Sequence, residues 1–244
     1  AIDLGAATVS GTYSVTAGGA VTDSGTQEIT GVTTLAAGSS NDITLDTSTN
    51  NFAAAVGITS GRNVAITDED AIDLGAATVS GTYGITAGGA VTDSGTQEIT
   101  GVTTISASGQ DVTLNTSTNN FAAAVGITGA AVTVVDEDAI DLGAATVSGT
   151  YSVTAGGAVT DSGTQEITGA TTISASGQDV TLNTSTNNFA AAVGITGAAV
   201  TVVDEDAIDL GAATVSGTYG ITAGGAITES GDLSITGITT LAAG

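Results

Sequence analysis

The chain contains no Cys, Pro, Met, His or Trp, and Arg62 is its only basic residue. Each absence removes a class of function. Without Cys there is no disulfide and no thiol chemistry. Without His, Cys or Lys, no side chain is poised as a general base or nucleophile near neutrality, and the abundant Ser and Thr hydroxyls lack a His partner. One cation against 25 acids gives a formal charge of −24. No array of Lys and Arg exists to neutralise phosphates, which excludes nucleic acid, and binding to an anionic membrane surface is disfavoured for the same reason. Aromatics are only 3% of residues, whereas a thick globular core normally draws on such side chains, each burying on the order of 150–250 Å². The most apolar stretch, Phe121 to Val135, is interrupted by Gly126, Thr128, Gly129 and Thr133 and is shorter than the roughly 18 residues a membrane-spanning helix needs, so no membrane insertion is expected. The chain lacks an initiating Met, a signal peptide and a targeting tail, so an internal piece of a longer product is expected.

What remains is Gly (36 residues), Thr, Ser and small aliphatics, with 41% hydrophobic residues and a mean hydropathy of +0.37. That is too apolar for a disordered acidic chain. The string AIDLGAATVSGTY begins at Ala1, Ala71, Ala139 and Ala207. It defines repeats 1–70, 71–138 and 139–206 and a partial repeat 207–244. The first repeat is longer at Leu35–Leu45 and at Gly57–Asp70. Both changes fall in Gly/Ser-rich stretches, where turns tolerate insertion.

Apolar and polar residues alternate in short runs such as Ile43-Thr44-Leu45, Val64-Ala65-Ile66 and Ile72-Asp73-Leu74. The period of two, the β-branched residues and the flanking Gly, Asn, Asp or Ser predict short strands. Helix signals are weak, although Phe52 to Val56 is compatible with one isolated turn. Each repeat divides into three windings averaging near 23 residues. The expected fold is therefore all-β: a single continuous parallel β-helix (β-solenoid) over 1–244, with about three rungs per repeat and about ten in total. On that count identical residues stack every third rung. A string of antiparallel, Ig-like sandwiches is the architectural rival. The pairs Asn50-Asn51, Asn119-Asn120 and Asn187-Asn188 are expected at corners, in the left-handed region and stacked through their carboxamides. Asn50 and Asn51 are not glycosylation acceptors, because Phe52 and Ala53 follow. Asn115-Thr116-Ser117 matches that acceptor pattern, but the first repeat has Asp46 at this place, so sequence alone favours coincidence.

The stretch NDITLDTSTNNFAAAVGITSGRNVAITDEDAIDLGAATVSGTYGITAGGAVTDSG resembles the repeats of large filamentous-haemagglutinin-like adhesins. The resemblance spans the whole chain as a texture of alternating strands, Gly-x-Val/Ile-Thr/Ser and Gly/Ser/Asn turns. It implies a right-handed β-helical shaft and an extracellular place on the surface of a Gram-negative bacterium. The family's Pro-containing secretion domain is not matched, so the route of export is only implied.

Chemistry is expected to be sparse. A glycosidase needs paired carboxyls in a unique cleft, and near-identical repeats make smooth faces, so no enzyme activity and no catalytic residue are expected. The most specific candidates are acidic clusters suited to Ca2+, which takes six to eight oxygens. They are Asp68, Glu69, Asp70 and Asp73; Asp136, Glu137, Asp138 and Asp141; and Asp204, Glu205, Asp206 and Asp209. The calcium-roll nonapeptide is absent, and solvated acidic corners are the expectation, with no cofactor. Thr47-Ser48-Thr49 and Thr116-Ser117-Thr118 raise ice binding, which would need such an array on every rung. The expected role is a structural shaft or spacer, with a self-assembling filament subunit as the alternative. The expected partners are further repeats or other copies of the fibre, and a cell-surface receptor that the sequence does not identify.

Overall fold

The computed structural model describes all residues from Ala1 to Gly244, which form two compact units, Ala1–Ala123 and Ala124–Gly244. Each unit is a parallel β-solenoid without helices. In the first unit one sheet stacks Ile2–Leu4, Val21–Asp23, Ile43–Leu45, Val64–Asp68, Tyr83–Ala87 and Thr103–Ser106. A second sheet stacks Tyr13–Thr16, Thr33–Ala36, Val56–Gly61, Ile72–Val79, Val91–Asp93 and Val112–Leu114. A short third side holds Ala7–Val9, Gln27–Ile29 and Asn51–Phe52. The second unit repeats the plan. Its first sheet runs through Ile140–Val147, Val159–Asp161, Val180–Leu182, Val200–Asp204 and Tyr219–Ala223, and its second through Tyr151–Ala155, Thr171–Ser174, Val193–Gly197 and Ile208–Val215. The pairings are parallel, which eliminates the antiparallel sandwich. Phe52 ends a strand, and no helical turn follows it.

The windings are shorter than expected, and their number per repeat is not whole. Along the first sheet, Ile2 pairs with Val21, Val21 with Ile43, Ile43 with Val64, Val64 with Tyr83 and Tyr83 with Thr103. These steps span 19, 22, 21, 19 and 20 residues. A repeat is thus three and a half windings, and each unit has about six, in place of three per repeat and about ten overall. Identical residues consequently do not stack every third rung. In the first unit Ile2–Leu4 lies in the first sheet and its copy Ile72–Val79 in the second, while Tyr13–Thr16 and Tyr83–Ala87 exchange sheets in the opposite sense. In the second unit Ile140–Val147 and Ile208–Val215 are exchanged in the same way. The half winding is Val64–Asp68, after which the chain turns directly into the eight-residue strand Ile72–Val79 with no third-side strand between. The next winding again splits this wall, so that Val91–Asp93 pairs with Ile72–Leu74 and Gln97–Ile99 with Ala77–Val79.

The core is the narrow aliphatic column that the alternation requires. Val21, Ile43, Leu45, Val56, Leu74 and Val91 are fully enclosed, and Tyr83, Tyr151, Tyr219, Phe52, Phe121 and Phe189 are the largest buried groups. Small corners permit the close stacking. A Cβ on Gly88 would overlap the carbonyl of Glu69 in the winding below, and one on Gly156 would overlap that of Glu137. Only Gly38, Gly109 and Gly177 have positive φ. They sit in the Gly/Ser segments where the first repeat is longer, a region of irregular turns that absorbs the extra residue.

Candidate functional site

The most developed polar constellation is a corner network that recurs in repeats one, two and three. Asn50 is fully buried and satisfies its neighbours in the winding below. Its Oδ1 accepts the Gln27 N–H at 2.8 Å, and its Nδ2 donates to Asp23 Oδ2 at 2.7 Å. Gln27, also fully buried, donates through Nε2 to the Gly5 and Gly25 carbonyls. Asn119 repeats these contacts with Gln97 N and Asp93 Oδ2 at 2.9 and 2.6 Å, and Asn187 with Gln165 N and Asp161 Oδ2 at 2.9 and 2.6 Å. The corner placement of these asparagines is as expected. Their conformation and ladder are not: no non-Gly residue has positive φ, and the carboxamides bond to Asp and backbone rather than to one another. The reason is the half winding, which moves the next Asn to the other side of the unit. Sequence reasoning missed Asp23, Gln27 and their copies. The signal was the segment VTDSGTQEI, which places Asp and Gln four residues apart in each complete repeat.

The acidic candidates do not gather. Asp68 and Asp204 are 1% and 2% exposed and point inward. Asp68 takes the Phe52 N–H on Oδ2 at 2.9 Å and the Asp70 N–H on Oδ1 at 2.9 Å. Asp204 does the same for Phe189 at 2.8 Å and Asp206 at 2.9 Å. Each side chain thereby supplies the acceptor that a third-side strand would have offered, which is how the half winding closes. Burial pushes both carboxyls above the usual Asp value, and the two N–H donors only partly oppose it. Asp136, 2% exposed, occupies the equivalent place in the second repeat. Glu69, Asp70, Glu137, Asp138, Glu205 and Asp206 are exposed. Asp73, Asp141 and Asp209 sit half-buried on strands, beside Thr92, Thr160 and Thr228 of the following winding. No three acids converge as a metal-binding group. Arg62 forms a two-pronged ion pair with Asp42 of the winding below, at 2.8 and 2.7 Å, which holds the Asp42 carboxyl down to about 2.

The outer faces carry hydroxyls in register. In the second unit Thr154, Ser174, Thr196, Thr214 and Ser234 are successive partners on five consecutive windings. Thr160, Thr181 and Thr201 form a shorter ladder on the other sheet. The turn segments Thr47–Thr49 and Thr116–Thr118 occur only once per repeat. The strand positions do better. Shallow grooves lie beside the short strands: one of 250 Å³ in the first unit includes Thr78, Glu98 and Asn120, and one of 200 Å³ in the second includes Thr146, Glu166 and Asn188. No helix is long and apolar enough to cross a membrane.

A family model described as repeats of unknown function (DUF5649) matches residues 1–59, 61–128, 129–196 and 197–244. No curated protein and no solved structure matches the chain.

Proposed function

The chain belongs to this family of repeats, and we propose that it serves as a rigid shaft segment of an extracellular fibre, of the kind the filamentous-haemagglutinin-like adhesins build on Gram-negative bacterial surfaces. The observation that carries this reading is where the buried polar side chains go. Asn50, Gln27 and Asp68, with their counterparts in later repeats, bond one winding to the next, so the repeated chemistry holds neighbouring windings together. Solenoid stability of this kind is a sum over neighbouring windings and grows by adding repeats. A net charge of −24 favours solubility and opposes lateral clumping. The role needs no catalysis and no cofactor. Antibodies against the purified repeats should label intact producing cells, and the isolated chain should stay monomeric. Labelling only after lysis would refute the surface shaft. Fibres formed by the isolated chain would favour the filament subunit instead.

The hydroxyl ladder favours a second reading, a face that orders water into ice. Its rungs are about 4.8 Å apart, and it is unbroken from Thr154 to Ser234. Ice shaping that is lost in Thr196→Tyr would support it. No thermal hysteresis in concentrated protein would dismiss it.

A further inference from the structure

We propose that Asn115 and Asn183 are acceptors for asparagine-linked glycosylation, each carrying a sugar at a corner of its own unit. Both begin an Asn-Thr-Ser triplet, Asn115-Thr116-Ser117 and Asn183-Thr184-Ser185, which is the acceptor pattern for this modification. A triplet alone is weak, and the structure adds three observations.

The first is access. Asn115, Ser117, Asn183 and Ser185 are all exposed. Each triplet leaves a strand end (Leu114 or Leu182) and runs into a turn closed by Asn119 N–H to Thr116 O or by Asn187 N–H to Thr184 O, both 3.1 Å. The second is freedom. The carboxamides of Asn115 and Asn183 make no side-chain hydrogen bond. The buried asparagines Asn50, Asn119 and Asn187 spend theirs inside the solenoid. The third is a held backbone. Asn115 N–H donates to Asp93 Oδ1 at 2.8 Å, and Thr116 N–H to the same carboxylate at 3.2 Å. Asn183 and Thr184 do the same to Asp161, at 2.8 and 3.2 Å. The main chain is thus anchored while both recognition side chains project.

The first repeat supplies an internal control. Its corner keeps one of the two anchors, Asp46 N–H to Asp23 Oδ1 at 3.1 Å, but it carries Asp46-Thr47-Ser48 and has no amide to modify. Two sites in the chain are therefore expected. In the transfer, the carboxamide nitrogen bonds to the anomeric carbon of a sugar activated as a nucleotide or lipid pyrophosphate. The bond from that carbon to phosphate oxygen breaks, the phosphate departs with the electron pair, and the amide gives one proton to the transferase. Because neither amide is engaged in the fold, the sugar adds without unravelling a winding. This inference does not rest on the shaft reading, since surface labelling and glycan mass are separate measurements.

The test is the intact mass and peptide map of the chain isolated from the cells that make it. A second arm treats the purified folded chain with a transferase specific for Asn-x-Ser/Thr and its nucleotide sugar. Two sugar increments are expected, on Asn115 and Asn183. Asn115→Gln should remove one and Asn183→Gln the other, with melting temperatures unchanged. An unmodified native mass would overturn the proposal. So would a folded chain that refuses sugar while the unfolded chain accepts it.

Discussion

Replacing Asn119 by Ala tests the corner network most sharply. Asn119 is fully buried, its Oδ1 takes the Gln97 N–H at 2.9 Å, and its Nδ2 donates to Asp93 Oδ2 at 2.6 Å. Ala removes both bonds and shortens the side chain inside a packed corner. A buried N–H left without a partner costs about 1–3 kcal/mol, and a lost hydrogen bond to a charged group about 1.5–3 kcal/mol. Part of the second loss is recovered, because Asp93 is half-buried and still accepts from Asn115 and Thr116. The expected loss is about 3–4 kcal/mol, which for a chain of this size lowers the melting temperature by roughly 6–16 °C. Asn119→Asp adds a discriminating arm. It keeps the shape but sets a carboxylate against Asp93 Oδ2, so it should be worse than Ala at pH 7, because two like charges then face each other in a buried corner. Asn120→Ala, on the outward neighbour, is the control and should stay within about 0.5 kcal/mol. Urea unfolding followed by circular dichroism reads all three. A wild-type midpoint for Asn119→Ala would refute the claim that this side chain ties the windings together.

Tyr151 is fully buried with a hydroxyl that has no hydrogen-bond partner; Tyr151→Phe should therefore raise stability by about 1–2 kcal/mol, because the desolvation cost of the hydroxyl disappears, and a loss in urea melts would refute this. Burial raises the pKa of the tyrosines, Tyr219 to about 12, so the native state keeps protons that the unfolded state releases near pH 10. Stability should fall as pH rises above that value, and tyrosinate absorbance should grow only as circular dichroism is lost. The buried carboxyls of Asp68 and Asp204 have a raised pKa in the folded state, so there the native chain binds more protons than the unfolded one. Their contribution to stability increases as pH falls through the folded value toward 3.8 and is lost as pH rises. The melting temperature should gain from these groups as pH is lowered toward 3.8, and less so in the double variant Asp68→Asn with Asp204→Asn; an unchanged slope in that variant would refute the assignment. The Asp42 carboxyl, held down to about 2 by Arg62, acts oppositely. Its ion pair stabilises above the unfolded value and weakens only in strong acid, so Arg62→Ala should leave the melting temperature between pH 5 and 7.5 unchanged in its slope.

The parallel strands were legible because period-two alternation, β-branching and Gly corners all agree in segments such as Ile43-Thr44-Leu45 and Val64-Ala65-Ile66. The turns were legible for the same reason: the length changes fall beside Gly38 and at Arg62, between strands. The winding count was not. Whether Val64–Asp68 begins a full circuit or half of one depends on Asp68 reaching across to the Phe52 N–H, a contact 16 residues long that no local pattern announces. The acidic cluster Asp68-Glu69-Asp70 read as one chemical feature because its members are adjacent. The strand period separates them, turning Asp68 into the core while Glu69 and Asp70 stay in solvent. The corner network was half visible. Asn before Phe signalled a corner, but its partners Asp23 and Gln27 belong to the previous winding, 27 and 23 residues away.

Half-integer winding changes what repetition means for a surface. With a whole number of windings, a motif present once per repeat would line up on one face and could meet a flat partner over many copies at once. Here a single carboxylate per repeat substitutes for a strand and turns the next copy to the opposite sheet, as Ile2–Leu4 and Ile72–Val79 show within the first unit. Features carried by every winding, such as the hydroxyls from Thr154 to Ser234, still form a continuous line. Features carried once per repeat are divided between two sides. Within a unit, a surface that reads the per-repeat corners therefore meets sites that alternate between two sheets rather than one continuous face. The buried Asp is the residue on which that arrangement depends, because its two oxygens replace the backbone acceptor that the omitted strand would have supplied.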